Sequence, residues 1–481
     1  MMLLLFVCTF CIYRATCKRN VYSVSIFFTQ NKLKVDALNV VKHFAFCSVK
    51  EAIDAKLKVK AWSVLASGLK LSRNSCSTYI DACLKGSKLV KNLSFLLAEL
   101  ILSRDFAEYQ EQGIEILTDF FSACTDTESY RNRLSSLILE SEKNDRCNLL
   151  GSLTLPLALS LENMLIIPDN GRSRLLDCMH KFSIIEELRH LFVIPLSDKK
   201  NSHSWTPVFV LVEIIKSYQT ETVDNREAAL ACLANVTLLP KASKKSSEVA
   251  NEICWCGGYE ALFDIVVSNN ENRNTDLIKV HASTILSRLV SSIGKHKLAS
   301  NSSAVTQLAS IFVSLVRNDE GSAESHEKKS RGRKIAANLI RIIAEVKLNP
   351  QVEGFIESLV LLLPSPMKDS NGAVTARSVC QKPDLSFNES ISQSLICSVL
   401  AALVNFMDHD GQKEGLKIDI ILVEKLVCIL ANYKSFHQTV VKSAAALLAR
   451  ITKSTSKNAV ARCHELRGIQ IMLDLNRGKF I

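Results

Sequence analysis

The sequence predicts an all-α protein made of short helices stacked side by side. Three observations predict it: a pair of helical segments in the middle of the chain, the recurrence of the first of them, and a composition poor in turn and strand residues. The first segment, REAALACLANVT at 226–237, places Ala229, Leu230, Leu233 and Ala234 at helical spacing. Its alanines, with no interior glycine or proline, let a neighbouring helix approach closely. The second, GGYEALFDIV at 257–266, opens on paired glycines, where a tight turn feeds a helix with Ala261, Leu262, Ile265 and Val266 on its apolar face. Only 16 glycines, 9 prolines and 6% aromatic residues argue against a sandwich or barrel, and 47% apolar residues suffice for a continuous core.

The first segment recurs as HASTILSRLV (281–290), KIAANLIRII (334–343), SVLAALVNFM (398–407) and KSAAALLARIT (442–452). Each copy is a small-residue helix with one polar side chain at a matching place: Asn235, Arg288, Arg341, Asn405 and Arg450. The steps between them are 53, 53, 64 and 45 residues. The shortest is close to one helical repeat of roughly 40 to 47 residues, and the longer ones contain polar inserts that leave as loops. The glycine-led helix returns at the end of the chain as LRGIQIMLDL (466–475), in the place of a cap.

These residues resemble the armadillo branch of the armadillo and HEAT superfamily over roughly 220–475. GGYEALFDIV is similar to that family's glycine-led helix, and LANV at 233–236 is similar to its inner helix ending in Leu-x-Asn-hydrophobic. The resemblance implies an armadillo/HEAT-like right-handed α-solenoid superhelix, here with irregular N-terminal repeats and long inter-helix loops. It says little about activity, because one fold hosts many functions.

In armadillo proteins the small-residue helix lines a concave groove, and its asparagines hydrogen-bond the backbone of an extended peptide. The resemblance carries that role to Asn235 and Asn405, whose carboxamides offer both a donor and an acceptor. Arg288, Arg341 and Arg450 occupy the corresponding places elsewhere, and guanidinium groups favour bidentate capture of Asp, Glu or phosphate. The competing interpretation makes all five solvated or loop-capping polar residues on helix faces. Nuclear-import adaptors of this fold carry tryptophans one turn before each groove asparagine, with an acidic lining. Here those places hold Ala231, Thr284, Ala337, Ala401 and Ala446, so a lysine stem has no aromatic walls to lie between. The run from 442 to 475 resembles the inscuteable-type adaptors of cell polarity and spindle orientation, which implies a cytoplasmic or cortical scaffold.

With 59 basic and 48 acidic side chains the net charge is +11, which favours acidic partners but is not the concentrated footprint of a nucleic-acid binder. The 16 cysteines are scattered singly through apolar helical segments and read as reduced core thiols. Cys254-Trp255-Cys256 lacks a second ligand pair at zinc spacing, so no metal or other cofactor is expected. Asp408-His409-Asp410-Gly411 is a turn rather than a calcium loop, because the later ligands fail. The chain carries no phosphate loop, dinucleotide fingerprint, nucleophile elbow or His-Glu-x-x-His pair, and its ten histidines are dispersed. We expect no enzyme and no small-molecule substrate.

Residues 1–32 form an apolar N-terminal segment, whose first thirteen residues could be a disordered start, a buried helix, or an anchor or signal; any membrane association would come through 1–13. Degenerate helical repeats are expected over 33–195 and the armadillo-like array over 208–481. The polar stretch 196–207 lies between them, and mobile loops are expected near 318–333 and 364–390. The function expected is a cytoplasmic scaffold holding an extended, acidic segment of another protein. The alternatives are a cargo adaptor and an armadillo-type regulator of small GTPases.

Overall fold

The computed structural model describes residues 149–162, 167–194, 205–238, 244–268, 275–291, 301–321, 326–346, 350, 352–369, 371–381, 389–410, 419–453 and 457–477, with isolated positions between 111 and 136. Every regular element among them is helical. They group into two compact units that divide between Gly258 and Tyr259. The expectations for 1–110, the apolar start and the first part of the degenerate repeats, lie outside the described residues. No described helix is long and apolar enough to cross a membrane.

The first unit contains α1 (Leu149–Leu161), α2 (Asp169–Ile184), a 3-10 helix (Glu186–Val193), α3 (Pro207–Lys216), α4 (Val223–Val236) and α5 (Lys244–Trp255). Helix α4 starts where Thr222 Oγ1 accepts the Asn225 N–H at 3.2 Å, and α3 starts where Thr206 Oγ1 accepts the Phe209 N–H at 3.0 Å with proline at the next position. Both are N-caps that satisfy an orphan amide. Ala229, Leu230, Leu233 and Ala234 are buried as the spacing predicts, and α4 packs on α2. Cys232 Sγ meets Met179 O at 3.6 Å and Asn235 Nδ2 meets Ser183 Oγ at 3.1 Å, so the contacts advance together and the two helices run parallel. Helices α1, α3 and α5 pack in sequence as a second layer. At the start of α4 the buried Glu221 accepts from Arg172 Nη1 at 2.9 Å and from Asn225 Nδ2 at 3.0 Å, which ties α4 to the start of α2.

Helix α6 (Gly258–Val267) begins at the division. The second unit continues with α7 (Asp276–Leu289), α8 (Ser302–Gly321), α9 (His326–Val346), α10 (Phe355–Leu361), α11 (Glu389–Asp410), α12 (Asp419–Ala431), α13 (Gln438–Lys453), α14 (Lys457–Glu465) and α15 (Gly468–Asn476). Helices α7, α9, α11 and α13 pack each on the next as a ladder. Cys397 on α11 meets Thr439 on α13 near one end, and Val404 meets Arg450 near the other, so these two also run parallel. Helix α8 supports α9 and α10, while α12 supports α13, α14 and α15. A helix that touches its counterpart in the neighbouring repeat, and a second layer that does the same, is the packing of a helical solenoid.

The glycine-led helices repeat in three dimensions. A Cβ on Gly258 would lie 2.8 Å from Ile253 O and 3.1 Å from Val212 Cγ2; one on Gly468 would lie 2.7 Å from Cys463 Sγ and 2.8 Å from Val427 Cγ2. In both repeats the glycine sits against the residue five positions earlier and a valine of the supporting helix. The residue just before is left-handed in each case, Gly257 at φ 75° and Arg467 at φ 59°. Gly354, at φ 77° before α10, repeats the left-handed entry, with Phe355 where the other two have the packed glycine.

Of the two stretches read as loops, the first is helical where it is described, and the second is irregular apart from the 3-10 turn Ser378–Cys380 and the start of α11. Residues 318–321 close α8 and 326–334 open α9, so the described residues of the first stretch are helical. Low apolar content suggested a loop, but Lys, Arg and Glu are good helix formers, and Glu327 pairs with Arg331 one turn on. The second stretch is latched in place where it is described. Asn432 Nδ2 donates to Val379 O at 2.8 Å, Arg462 Nη2 to Val374 O at 2.8 Å, and Val379 is buried. Residues 389 and 390 already belong to α11. The Asp408-His409-Asp410 stretch is its last turn.

Among the described residues Cys178, Cys232, Cys256, Cys428 and Cys463 are buried free thiols, Cys254 and Cys397 are half-buried, and Cys380 is exposed. Burial pushes the Cys232 thiol up to about 12 and that of Cys428 to about 11. Both stay protonated and shielded at neutral pH. Peptide-resolved alkylation of the native protein at pH 8 should therefore modify Cys380 and Cys397 and reach Cys232 and Cys428 only after denaturation. The unfolded chain ionises its thiols near 9, so the stability these two contribute is complete below pH 9 and is lost as the pH rises from there towards 12. Labelling of Cys232 as fast as that of Cys380 would contradict the packing described.

Candidate functional site

The five polar residues are divided between the two units. Asn235 lies in the first unit, half-buried on α4, with one amide hydrogen given to Ser183 Oγ. Arg288, Arg341, Asn405 and Arg450 lie on α7, α9, α11 and α13, the successive helices of the second unit's ladder. Arg288 is half-buried. Arg341, Asn405 and Arg450 come together around α11. Arg341 is exposed and its Nη2 donates to Ser394 Oγ; Asn405 Nδ2 donates to Ala344 O of α9 at 2.9 Å; Arg450 is exposed and its Nη1 reaches Val404 O at 3.5 Å.

The asparagines staple the ladder. Asn235 bonds back to α2 in the first unit and Asn405 to α9 in the second, each spending one of two amide hydrogens on the helix its own helix packs against. Asn338, which the sequence comparison passed over, does the same: its Nδ2 donates to Ser283 Oγ at 3.1 Å and Thr284 Oγ1 at 2.9 Å on α7. Asn338, not Arg341, is thus the counterpart of Asn235 on α9. The signal was present, because AANL at 336–339 aligns with LANV at 233–236. Arg341 sits three residues later and points instead to the following helix, α11.

The face these residues border is basic at its edges and neutral in its middle. Helix α13 contains no acidic residue and exposes Lys442, Ala446, Arg450 and Lys453. From Ser394 to Asn405, α11 is uncharged, with Ser394 and Ala401 exposed and Cys397 and Ser398 half-buried. Helix α9 exposes Lys334 and Arg341, with Glu345 the acid near its C-terminal end. Ala337 on α9 and the exposed Ala401 and Ala446 are small and leave room for a main chain to approach the helices closely. Cys397 Sγ lies 3.3 Å from Thr439 Oγ1, which lies 2.9 Å from His437 Nδ1, so a small polar network closes the seam between α11 and α13.

Within each unit the layered packing and the repeated glycine contacts define the class: an all-α solenoid of stacked helices. The chain matches no protein-family model and none of the curated proteins. Among solved structures it is similar to the crystal structure of SYS-1, at 10% identity and a TM-score of 0.31 over 89% of this chain and 88% of that one. It is also similar to Kap95p in its complex with RanGDP, at 11% identity and a TM-score of 0.21 over 91% of this chain and 69% of that one. Likenesses this distant carry no argument about the site, which stands on its own geometry.

Proposed function

We propose that the protein is a non-enzymatic adaptor that binds an extended, acidic segment of another protein on the solvent face of the ladder α7, α9, α11 and α13. The observation that carries this is the pair of exposed guanidinium groups, Arg341 and Arg450, that reach from the two flanking helices onto the small, uncharged strip of α11. Exposed Lys442 and Lys453 extend the same sign of charge along α13. Guanidinium groups at the border of a surface favour carboxylates by charge-assisted, bidentate bonding, and the small residues between them give a main chain access. Asn405 retains a carbonyl oxygen and a second amide hydrogen in its carboxamide for a bound main chain. A cytoplasmic or cortical setting in cell polarity is what the resemblance of 442–475 adds to this proposal.

The test is a titration of a labelled Glu-rich peptide into the wild type and into the Arg341→Glu, Arg450→Glu double variant. Binding is expected in the first and its loss in the second, with helicity and melting retained. Undiminished binding by the double variant would overturn the proposal.

A further inference from the structure

Resting on that reading, we propose that the partner segment lies lengthwise on α11 as an extended strand and presents two carboxylates four residues apart, one to Arg341 and one to Arg450. The two guanidinium groups belong to different helices, yet each is anchored on α11: Arg341 on Ser394 Oγ and Arg450 on Val404 O. Ser394 and Val404 are ten residues apart on one helix. At 1.5 Å of rise per residue the anchors are about 15 Å apart along the axis.

An extended chain advances about 3.3 Å per residue and sends successive side chains to opposite faces. Two carboxylates that face the same surface are therefore an even number of residues apart. A separation of two covers roughly 7 Å and falls short, a separation of six covers roughly 20 Å and overshoots, and a separation of four covers roughly 13 Å. The reach of the acidic side chains closes the small remainder.

The charges along the strip agree with this placement. Between the anchors α11 presents Cys397, Ser398 and Ala401, all small and uncharged. Lys442 follows Thr439 by one turn on α13, and Thr439 meets Cys397, so an exposed cation flanks the middle of the strip. Beyond the Arg450 end the charge is mixed, because Lys453 is exposed one turn further along α13. Ala344 accepts from Asn405, and the next residue of α9 is the exposed Glu345.

The experiment uses capped, labelled twelve-residue peptides of one composition, two Glu in a Thr, Ser and Pro background that resists helix formation, with the acids separated by two, four, five or six residues. Binding to the full chain is followed by anisotropy. The peptide with a separation of four should bind about tenfold more tightly than the other three, as one additional charge-assisted bond provides. Arg341→Gln should bring all four to the same affinity. Equal binding of the four by the wild type would overturn the lengthwise register while leaving acidic docking in place. No measurable binding of any of them, or of a Glu-rich peptide, would overturn both.

Discussion

Reversing the charge of Arg341 and Arg450 together should lower the affinity for an acidic peptide by at least about 100-fold, while far-UV circular dichroism and the melting temperature stay unchanged. Each guanidinium–carboxylate contact contributes roughly 1.5 to 3 kcal/mol, so the loss of two corresponds to two decades or more before the new repulsion is counted. The fold should tolerate the change because both side chains are exposed. The bonds of Arg341 to Ser394 Oγ and of Arg450 to Val404 O at 3.5 Å lie at the surface and outside the buried core of the ladder. The wild-type affinity should fall steeply between 50 and 300 mM salt, about as expected for exposed ion pairs. A salt-independent affinity, or a double variant that binds as well as the wild type, would place recognition elsewhere.

Gly258→Ala should destabilise the protein by about 1 to 3 kcal/mol, read as a lower urea midpoint at unchanged slope. The added methyl would stand 2.8 Å from Ile253 O, a main-chain atom in the last turns of α5 that cannot swing aside. Gly468→Ala meets a comparable distance but a softer wall. Its nearest neighbours are Cys463 Sγ at 2.7 Å and Val427 Cγ2 at 2.8 Å, both side-chain atoms, and the main-chain oxygen is 3.3 Å away. The reduced entropy of the unfolded chain offsets part of either cost. The account therefore predicts the order Gly258→Ala worse than Gly468→Ala, with the second within about 1 kcal/mol of the wild type. The reverse order would show that the start of α6 relaxes more easily than its contacts suggest.

The repeated core was legible in the sequence because its signal is local. Ala229, Leu230, Leu233 and Ala234 are buried on one face of α4, and the small-residue segments at 281–290, 334–343, 398–407 and 442–452 became the ladder helices α7, α9, α11 and α13. Spacing within a single turn suffices to predict such a face. Register across repeats was less legible. Arg341 was paired with Asn235 because both are polar and sit in matching segments, but the backward staple on α9 is Asn338. Only the partner on the neighbouring helix distinguishes the two, and that partner lies 55 residues away.

Loops were the least legible, for a similar reason. The charged run at 326–334 extends a helix whose anchor is the buried Ile335, Ala336 and Leu339 just after it. The stretch 364–381 lacks periodicity, yet Asn432 and Arg462 donate to its carbonyls, and Lys425 Nζ holds Leu363 O just before it at 2.8 Å. Single long-range donors of this kind leave no pattern in a linear sequence. The proposed acidic preference was legible only as a list of arginines. Their convergence on α11 needed the packing.

The central claim, that the uncharged strip of α11 between Arg341 and Arg450 is where an acidic segment docks, is tested most directly by site-specific photo-crosslinking. A benzophenone amino acid at the exposed position 401 should attach to a bound Glu-rich peptide, and attachment should be suppressed by high salt and by the double charge reversal. The same probe at position 255, where Trp255 is 77% exposed at the end of α5, should attach little. Attachment at 255 equal to or above that at 401 would contradict the account.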